Sequence, residues 1–433
     1  MRLDPRAFVK VNVPHTLSGK EVIPMPGSLL VGIDVSSGDN RVRLLDSSGN
    51  SISKFSVPNN QPGAKTLVSK IVSAMTSNRF DSLVIGLEAT SVYGEPLVLF
   101  LKQDADISPF RPRIHVLNPK QVNAFKKAFL DLPKTDDVDA WIIAENLRFG
   151  RINQEVYMDD RILALRKLTR ARYYTARNLT REKKYFLNTL FLKFSSLAQE
   201  KIFADRFGAT SLAIVEEFLS VDEIAYMPIE ELSAFVNEKG KGKFGTPEDI
   251  AKLIQKAARS SYRLPKTVND SVSQILAISL VSIRTLKDQL KLFDKAIEEQ
   301  MKVIPNTLTS VKGIGPVYAA GIIAEIGDIH RFKNQAALAK FAGICWSKYQ
   351  SGKYTADNTH LISSGNRYLR YYLMEAANKV RMHDPEFKRF YELKYRETPK
   401  TPHKRALALT ARKLVRLVYA LLHDNRLYIP PKE

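Results

Sequence analysis

Leu29-Leu30-Val31-Gly32-Ile33-Asp34-Val35-Ser36 is an apolar run of strand length, broken by one glycine and closed by one carboxylate. Its length and β-branched content mark a buried strand. The turn residues Ser37-Gly38-Asp39-Asn40 follow, then the strand Arg41-Val42-Arg43-Leu44-Leu45. A second turn, Asp46-Ser47-Ser48-Gly49-Asn50, leads to a third strand from Ile52 to Val57. The opening is therefore a β-meander. A helix is expected from Gly63 to Met75, then Ser82-Leu83-Val84-Ile85-Gly86-Leu87-Glu88, a strand that again ends in a carboxylate. Gly94-Glu95-Pro96 opens a further helix, and Ile114-His115-Val116-Leu117-Asn118-Pro119 is another strand.

Next comes Pro133-Lys134-Thr135-Asp136-Asp137-Val138-Asp139-Ala140-Trp141, at the head of an apolar helical run. Asp136 and Asp139 are i and i+3, so a helix sets both carboxylates on one face while Asp137 points elsewhere. An acidic helix start is also what capping and the macrodipole favour, so this pair alone decides nothing. The order of elements does more. Three-strand meander, helix, strand, helix, strand, helix is that of a ribonuclease-H-like α/β fold. Such a fold brings a carboxylate on its first strand, one on its fourth and two on a facing helix to one place. Asp34, Glu88, Asp136 and Asp139 supply that set. Hard carboxylate oxygens of this kind suit Mg²⁺ or Mn²⁺, and paired divalent cations serve phosphodiester chemistry.

The bounds agree. A chain of 433 residues exceeds one ordinary core. One cysteine, Cys345, excludes a disulfide framework and a cysteine-based zinc cluster. No apolar run reaches membrane-spanning length and the start lacks a signal-peptide pattern, so a cytoplasmic, nucleoid-associated protein with no membrane partner is expected. Lys and Arg number 66 against 45 Asp and Glu, a net charge of +21 that points to a polyanionic partner.

Residues 1–27 read as an N-terminal extension and 28–157 as the α/β domain. Segments 158–204 and 272–304 read as a coiled-coil arm, natural antiparallel mates, enclosing a helical insertion at 205–271. Apolar residues such as Leu179 and Leu190 line one side of the first arm helix; Arg161, Arg166, Lys167, Arg170, Arg172, Arg177, Arg181, Lys183 and Lys184 cover much of the rest. That pattern fits a seam joining a homo-dimer or tetramer and a basic face tracking phosphates. The remainder, 305–433, is mainly helical. It opens with Val311-Lys312-Gly313-Ile314-Gly315-Pro316, a helix-hairpin-helix-like turn whose Lys312, Gly313 and Gly315 suit a phosphate. Downstream, Lys348, Gly352 and Lys353 flank Ser351, and Asn366, Arg367 and Arg370 open a basic helix; these six complete the candidate nucleic-acid contacts.

The Gly-Ile-Asp and Gly-Leu-Glu strands, Lys134-Thr135-Asp136 with Asp139-Ala140, the Gly-Ile-Gly turn, Ala324-Glu325-Ile326-Gly327-Asp328, Gln350-Ser351-Gly352 and Gly365-Asn366-Arg367-Tyr368-Leu369-Arg370 occur in one order. That order resembles the insertion-sequence-one-ten family, the DEDD transposases with a RuvC-like N-terminal domain and a serine-bearing C-terminal domain. The resemblance covers most of 29–200 and 272–425. Lys312 departs from the family's usual proline, and the insertion is longer than its usual connection. The resemblance implies a recombinase guided by a structured bridge RNA that pairs with donor and target DNA. It implies that Ser351 forms a covalent phosphoserine link, with activation by the metal site, contributed by a partner subunit. A RuvC-like nuclease or Holliday-junction resolvase, a DNA invertase, and a non-catalytic RNA- or DNA-binding protein remain the alternatives.

Overall fold

The computed structural model describes residues 8–10, 27–89, 92–129, 136–149, 159–218, 220–346, 350–351, 354–355, 361–362, 364–397 and 400–430. The chain forms two compact units, Asn12–Asp159 with Asp328–Lys333, and Met1–Val11 with Asp160–Gly327 and Asn334–Glu433. Strand β1 (Phe8–Lys10), within the expected extension, belongs to the latter.

The α/β unit is built on β2 (Ser28–Val35), β3 (Asp39–Leu45), β4 (Ser51–Pro58), helix α1 (Gln61–Ser77), β5 (Ser82–Glu88), α2 (Gly94–Gln103), β6 (Arg113–Leu117), α3 (Pro119–Lys126) and α4 (Asp136–Arg148). The sheet runs β4-β3-β2-β5-β6, with β2 antiparallel to β3 and parallel to β5. This is the mixed five-stranded sheet of the expected ribonuclease-H-like fold. Strand β2 is buried along its length because helices cover both faces of the sheet. Leu29, Val31 and Ile33 pack with Leu67 and Ile71 of α1 and with Leu97 and Leu101 of α2. Leu30 faces the other way, onto Val122 of α3 and Ile142, Ile143, Ala144 and Leu147 of α4. Alternation along the strand assigns Gly32 and Asp34 to this second face, and likewise Gly86 and Glu88 on β5.

The helical unit begins with α5 (Asp160–Lys193) and α6 (Ser195–Gln199), continues through α7 (Ala209–Glu217), α8 (Val221–Tyr226), α9 (Ile229–Gly240) and α10 (Pro247–Arg259), and returns along α11 (Lys266–Met301). Arg172 binds Asp294 and Ser279 donates to Glu182, so α5 and α11 lie antiparallel. The leucine seam is filled from within the chain: Phe186 and Leu190 join Leu276, Leu280 and Ile283 in one core, with Leu179 packed against it. Lys193 is buried in the insertion, where its ammonium donates to Phe218 O (2.7 Å) beyond the end of α7. Desolvation holds that ammonium below the ordinary lysine range.

Helices α12 (Pro316–Ile326), α13 (Gln335–Ala342), the ribbon strands β7 (Gln350–Ser351) and β8 (Tyr354–Thr355), α14 (Arg367–His383), α15 (Pro385–Arg396), α16 (Pro402–His423) and β9 (Arg426–Tyr428) complete the chain; β9 pairs with β1. The Gly-Ile-Gly turn has α12 on one side but only a 3-10 turn, Leu308–Ser310, on the other. Two full helices flanking the hairpin are therefore not formed. No helix of the described residues is long and apolar enough to cross a membrane.

Candidate active site

The register Gly32↔Gly86 and Ile33↔Leu87 sets Asp34 and Glu88 side by side at the C-terminal ends of two parallel strands. What brings the third acid to them is a glycine. A Cβ on Gly32 would lie 2.5 Å from Ala144 N and 2.9 Å from Ala144 Cβ, and closer still to Ala140 O. The backbone of α4 thus rests directly on β2, which only glycine permits. Gly86 does the same for Leu147, whose side chain would meet its Cβ at 2.9 Å. Asp139 precedes Ala140 on the turn of the helix seated there, and its charge reaches Glu88.

Glu88 reports this crowding. Its carboxyl is pushed above the usual glutamate range, first by burial and then by the negative charge of Asp139, with Lys126 opposing. Lys126 of α3 donates to Asp139 Oδ1. Asp137 is exposed, its carboxylate 3.9 Å from Lys54, so it points away from the group as its helical position requires. The side chain of Asp136 lies outside those described. Among the described residues no three acidic, histidine or cysteine groups converge tightly enough to hold a metal ion. The donor chemistry nonetheless fits one: half-buried, mutually repelling carboxylate oxygens are what Mg²⁺ and Mn²⁺ ligate.

In the helical unit, Ser351 sits on a two-stranded ribbon in which it pairs with Tyr354 and Gln350 pairs with Thr355. Trp346 bridges Leu361, and Ile362 N donates to Cys345 O (2.8 Å), which closes the base of the hairpin. Below that base two left-handed glycines meet, Gly343 (φ 69°) and Gly365 (φ 138°); a Cβ on Gly365 would lie 2.6 Å from Gly343 N. The pair clasps the end of α13 to the start of α14. Asn366 strengthens the clasp: its side-chain oxygen accepts from Tyr368 N and Leu369 N, and its amide nitrogen donates to Glu325 (2.7 Å). Asn366, expected at the nucleic acid, is thus engaged by the fold. Lys348, Gly352 and Lys353 lie outside the described residues, as does the side chain of Ser351.

Gly313 is also taken up structurally. At φ 101° its Cβ position lies 2.8 Å from Val380 N of α14. Lys312 is exposed and Gly315 faces open space. Arg370 points its guanidinium at Gly343 O (3.5 Å), and Arg367 is exposed.

The sequence marked Glu325 only as part of the motif Ala324-Glu325-Ile326-Gly327-Asp328 and gave it no role at the centre of this unit. Glu325, 1% exposed, accepts from Nε and Nη2 of Arg170 (2.6 and 2.8 Å) and from the Asn366 amide. One buried carboxylate on α12 therefore ties α5 to the base of the serine hairpin. The physical signal for that role is a charged residue inside an otherwise apolar helix.

Residues 31–194 match a family model described as Transposase, and residues 306–392 match another described as Transposase IS116/IS110/IS902 family. An insertion element IS116 protein of Streptomyces clavuligerus is 25% identical over 412 residues, covering 92% of this chain and 96% of the relative. The chain belongs to the IS110 family of transposases. An insertion element IS110 protein of Streptomyces coelicolor shares 30% identity with this transposase over 159 residues, 37% of this chain and 38% of the relative. Among solved structures, T. thermophilus RuvC in complex with Holliday junction substrate is 12% identical, covering 28% of the transposase and 95% of that chain at a TM-score of 0.22. So low a score carries no argument, and the sheet order stands by itself. As a member of this family the chain is an insertion-sequence enzyme of DNA strand transfer.

Proposed function

We propose that this transposase cuts and rejoins donor and target DNA through a phosphoserine intermediate on Ser351, as a homo-oligomer guided by a bridge RNA. The observation that carries the reading is the seating of α4 on Gly32, with the carboxylate of Asp139 within electrostatic reach of Glu88 at the end of the neighbouring strand. Asp34, Glu88, Asp136 and Asp139 would hold Mg²⁺ or Mn²⁺, which when bound activates an attacking oxygen and stabilises a leaving one. The Ser351 oxygen attacks a backbone phosphorus; a serine O–P bond forms as the P–O bond to the leaving sugar breaks. The serine gives up its proton and the leaving sugar oxygen takes one, so the ester's energy is kept for rejoining. The glycine clasp supports this role by holding the hairpin base on rigid helix ends. Lys312, Gly315, Lys348, Gly352, Lys353, Arg367 and Arg370 are assigned to backbone contacts.

A denaturing gel with labelled DNA, co-purified RNA and Mg²⁺ tests the chemistry. Wild type is expected to give a denaturation-resistant protein–DNA adduct, Ser351→Ala none, and Asp139→Asn none. Cleavage by Ser351→Ala at the wild-type rate, with no adduct in either protein, would leave metal-assisted hydrolysis alone. Sequencing the RNA that co-purifies tests the guide.

A further inference from the structure

We propose that the outer face of α5 from Tyr174 to Tyr185, with Arg367 of α14 at its end, is a stacking platform for the unpaired bases of a DNA strand. Tyr174, Arg181 and Tyr185 are seven and four residues apart and fall within about 40° of one another around the helix. Both rings are open to solvent, Tyr174 at 48% and Tyr185 at 51%. They stand roughly 16 Å apart along the axis, the reach of a few nucleotides of single strand. Arg367 donates to the phenol oxygens of Tyr174 (2.8 Å) and Tyr368 (3.1 Å), and its guanidinium lies 5.0 Å from the Tyr368 ring centre.

Charge selects the occupant. The one acid of α5 between Ala171 and Lys193 is Glu182, which is turned inward to accept from Ser279 at 2.6 Å. Among the described residues Arg367 has no carboxylate partner and Arg181 has no partner at all, whereas Arg166, Arg170 and Arg172 are engaged by Ala324 O, Glu325 and Asp294. Exposed planar rings interleaved with uncompensated guanidinium groups, without an acid on that face, suit base stacking with phosphates alongside. A mere fastener between α5 and α14 explains Tyr174 and Tyr368 but not Tyr185, which among the described residues has no ring or side-chain hydrogen-bond partner.

The choice of DNA rests on the transposase reading; the test uses the full chain without metal or cleavage, so it is separate from the chemistry of Ser351. Single-stranded DNA carrying 2-aminopurine is titrated with protein, following anisotropy and base fluorescence, with duplex DNA and the same strand as RNA in parallel. Wild type is expected to quench 2-aminopurine in the DNA strand. Tyr185→Ala and Tyr174→Ala are each expected to weaken binding about ten-fold and remove quenching, while Tyr174→Phe retains both. Binding by Tyr185→Ala equal to wild type, absence of quenching, or quenching with RNA alone overturns the platform. If no nucleic acid binds at all, the transposase reading falls with it; if duplex binds and the single strand does not, only the platform falls.

Discussion

Replacing Gly32 with alanine should separate α4 from the sheet. The new Cβ would stand 2.5 Å from Ala144 N and 2.9 Å from Ala144 Cβ. Carbon contacts relax at about 3.5–4.0 Å, so the helix must retreat by about 1 Å. The obstructing atoms belong to backbone and to a short side chain, and no rotamer change relieves them. Overpacking of this kind costs up to about 3 kcal/mol. The same retreat carries Asp139 with it, and a displacement near 1 Å costs on the order of 10²-fold in rate. Gly86→Ala is the control: its Cβ meets the end of the flexible Leu147 side chain, and roughly 1 kcal/mol is expected. Trp141 of α4, stacked edge-on against Phe129 at 5.3 Å, gives the signal for urea unfolding. Divalent-dependent strand cleavage gives the second readout. Gly32→Ala with wild-type stability and rate, or harmed less than Gly86→Ala, would refute the seating argument.

Glu88→Gln should abolish cleavage yet stabilise the metal-free protein near neutrality. A carboxyl raised by burial and by Asp139 favours the protonated fold: its contribution is full below the unfolded value near 4.5 and is lost as pH rises through the raised folded value. Melting temperatures in EDTA should therefore decline with rising pH in wild type and less so in the variant; identical profiles would count against it. Lys126→Met removes the ammonium on Asp139, so Mn²⁺ titration calorimetry should show several-fold tighter binding and EDTA melts a lower stability; unchanged or weaker binding contradicts competition. Leu190→Glu should unfold the arm at a cost of about 3 kcal/mol or more rather than dissociate an oligomer, since Leu190 is 3% exposed inside the chain's own helix pair. A stable variant of lower mass by light scattering would reverse that assignment.

The α/β unit was legible because its signals are local. Apolar runs of strand length, turn residues between strands and an acid near the end of the first and fourth strands all survive in one dimension, whereas the close approach of α4 to Gly32 and Gly86 does not. The seam of α5 was legible as apolar but its partner was not: a heptad-like stripe is the same whether a second copy or α11 fills it. The Gly-Ile-Gly turn was legible as a turn but its neighbour was not: Gly313 lacks the Cβ that would meet the backbone of α14 at 2.8 Å. Asn366 read as a nucleic-acid contact at the head of a basic helix. Its pairing with Glu325 joins residues 41 apart and leaves no trace in spacing.

Charge was the bluntest signal, and the structure divides it. Of the nine basic residues named along α5, Arg166, Arg170 and Arg172 are held by Ala324 O, Glu325 and Asp294. Each donates into a part-buried partner, so drawing it out to a phosphate would strand an acceptor inside the unit at a cost of about 1–3 kcal/mol. These three hold the helices together; Arg181 and Lys184, both exposed, are free to release counterions from a bound strand. The salt dependence of single-strand binding distinguishes the two groups, because each phosphate neutralised contributes about 0.7 to the slope of log affinity against log salt. Arg181→Gln and Lys184→Gln should each lower the slope by about that amount while leaving thermal stability unchanged. Arg172→Gln should leave the slope alone and lower the melting temperature. If the slope instead falls with Arg172→Gln and holds with Arg181→Gln, the inward arginines are the ones that meet the nucleic acid.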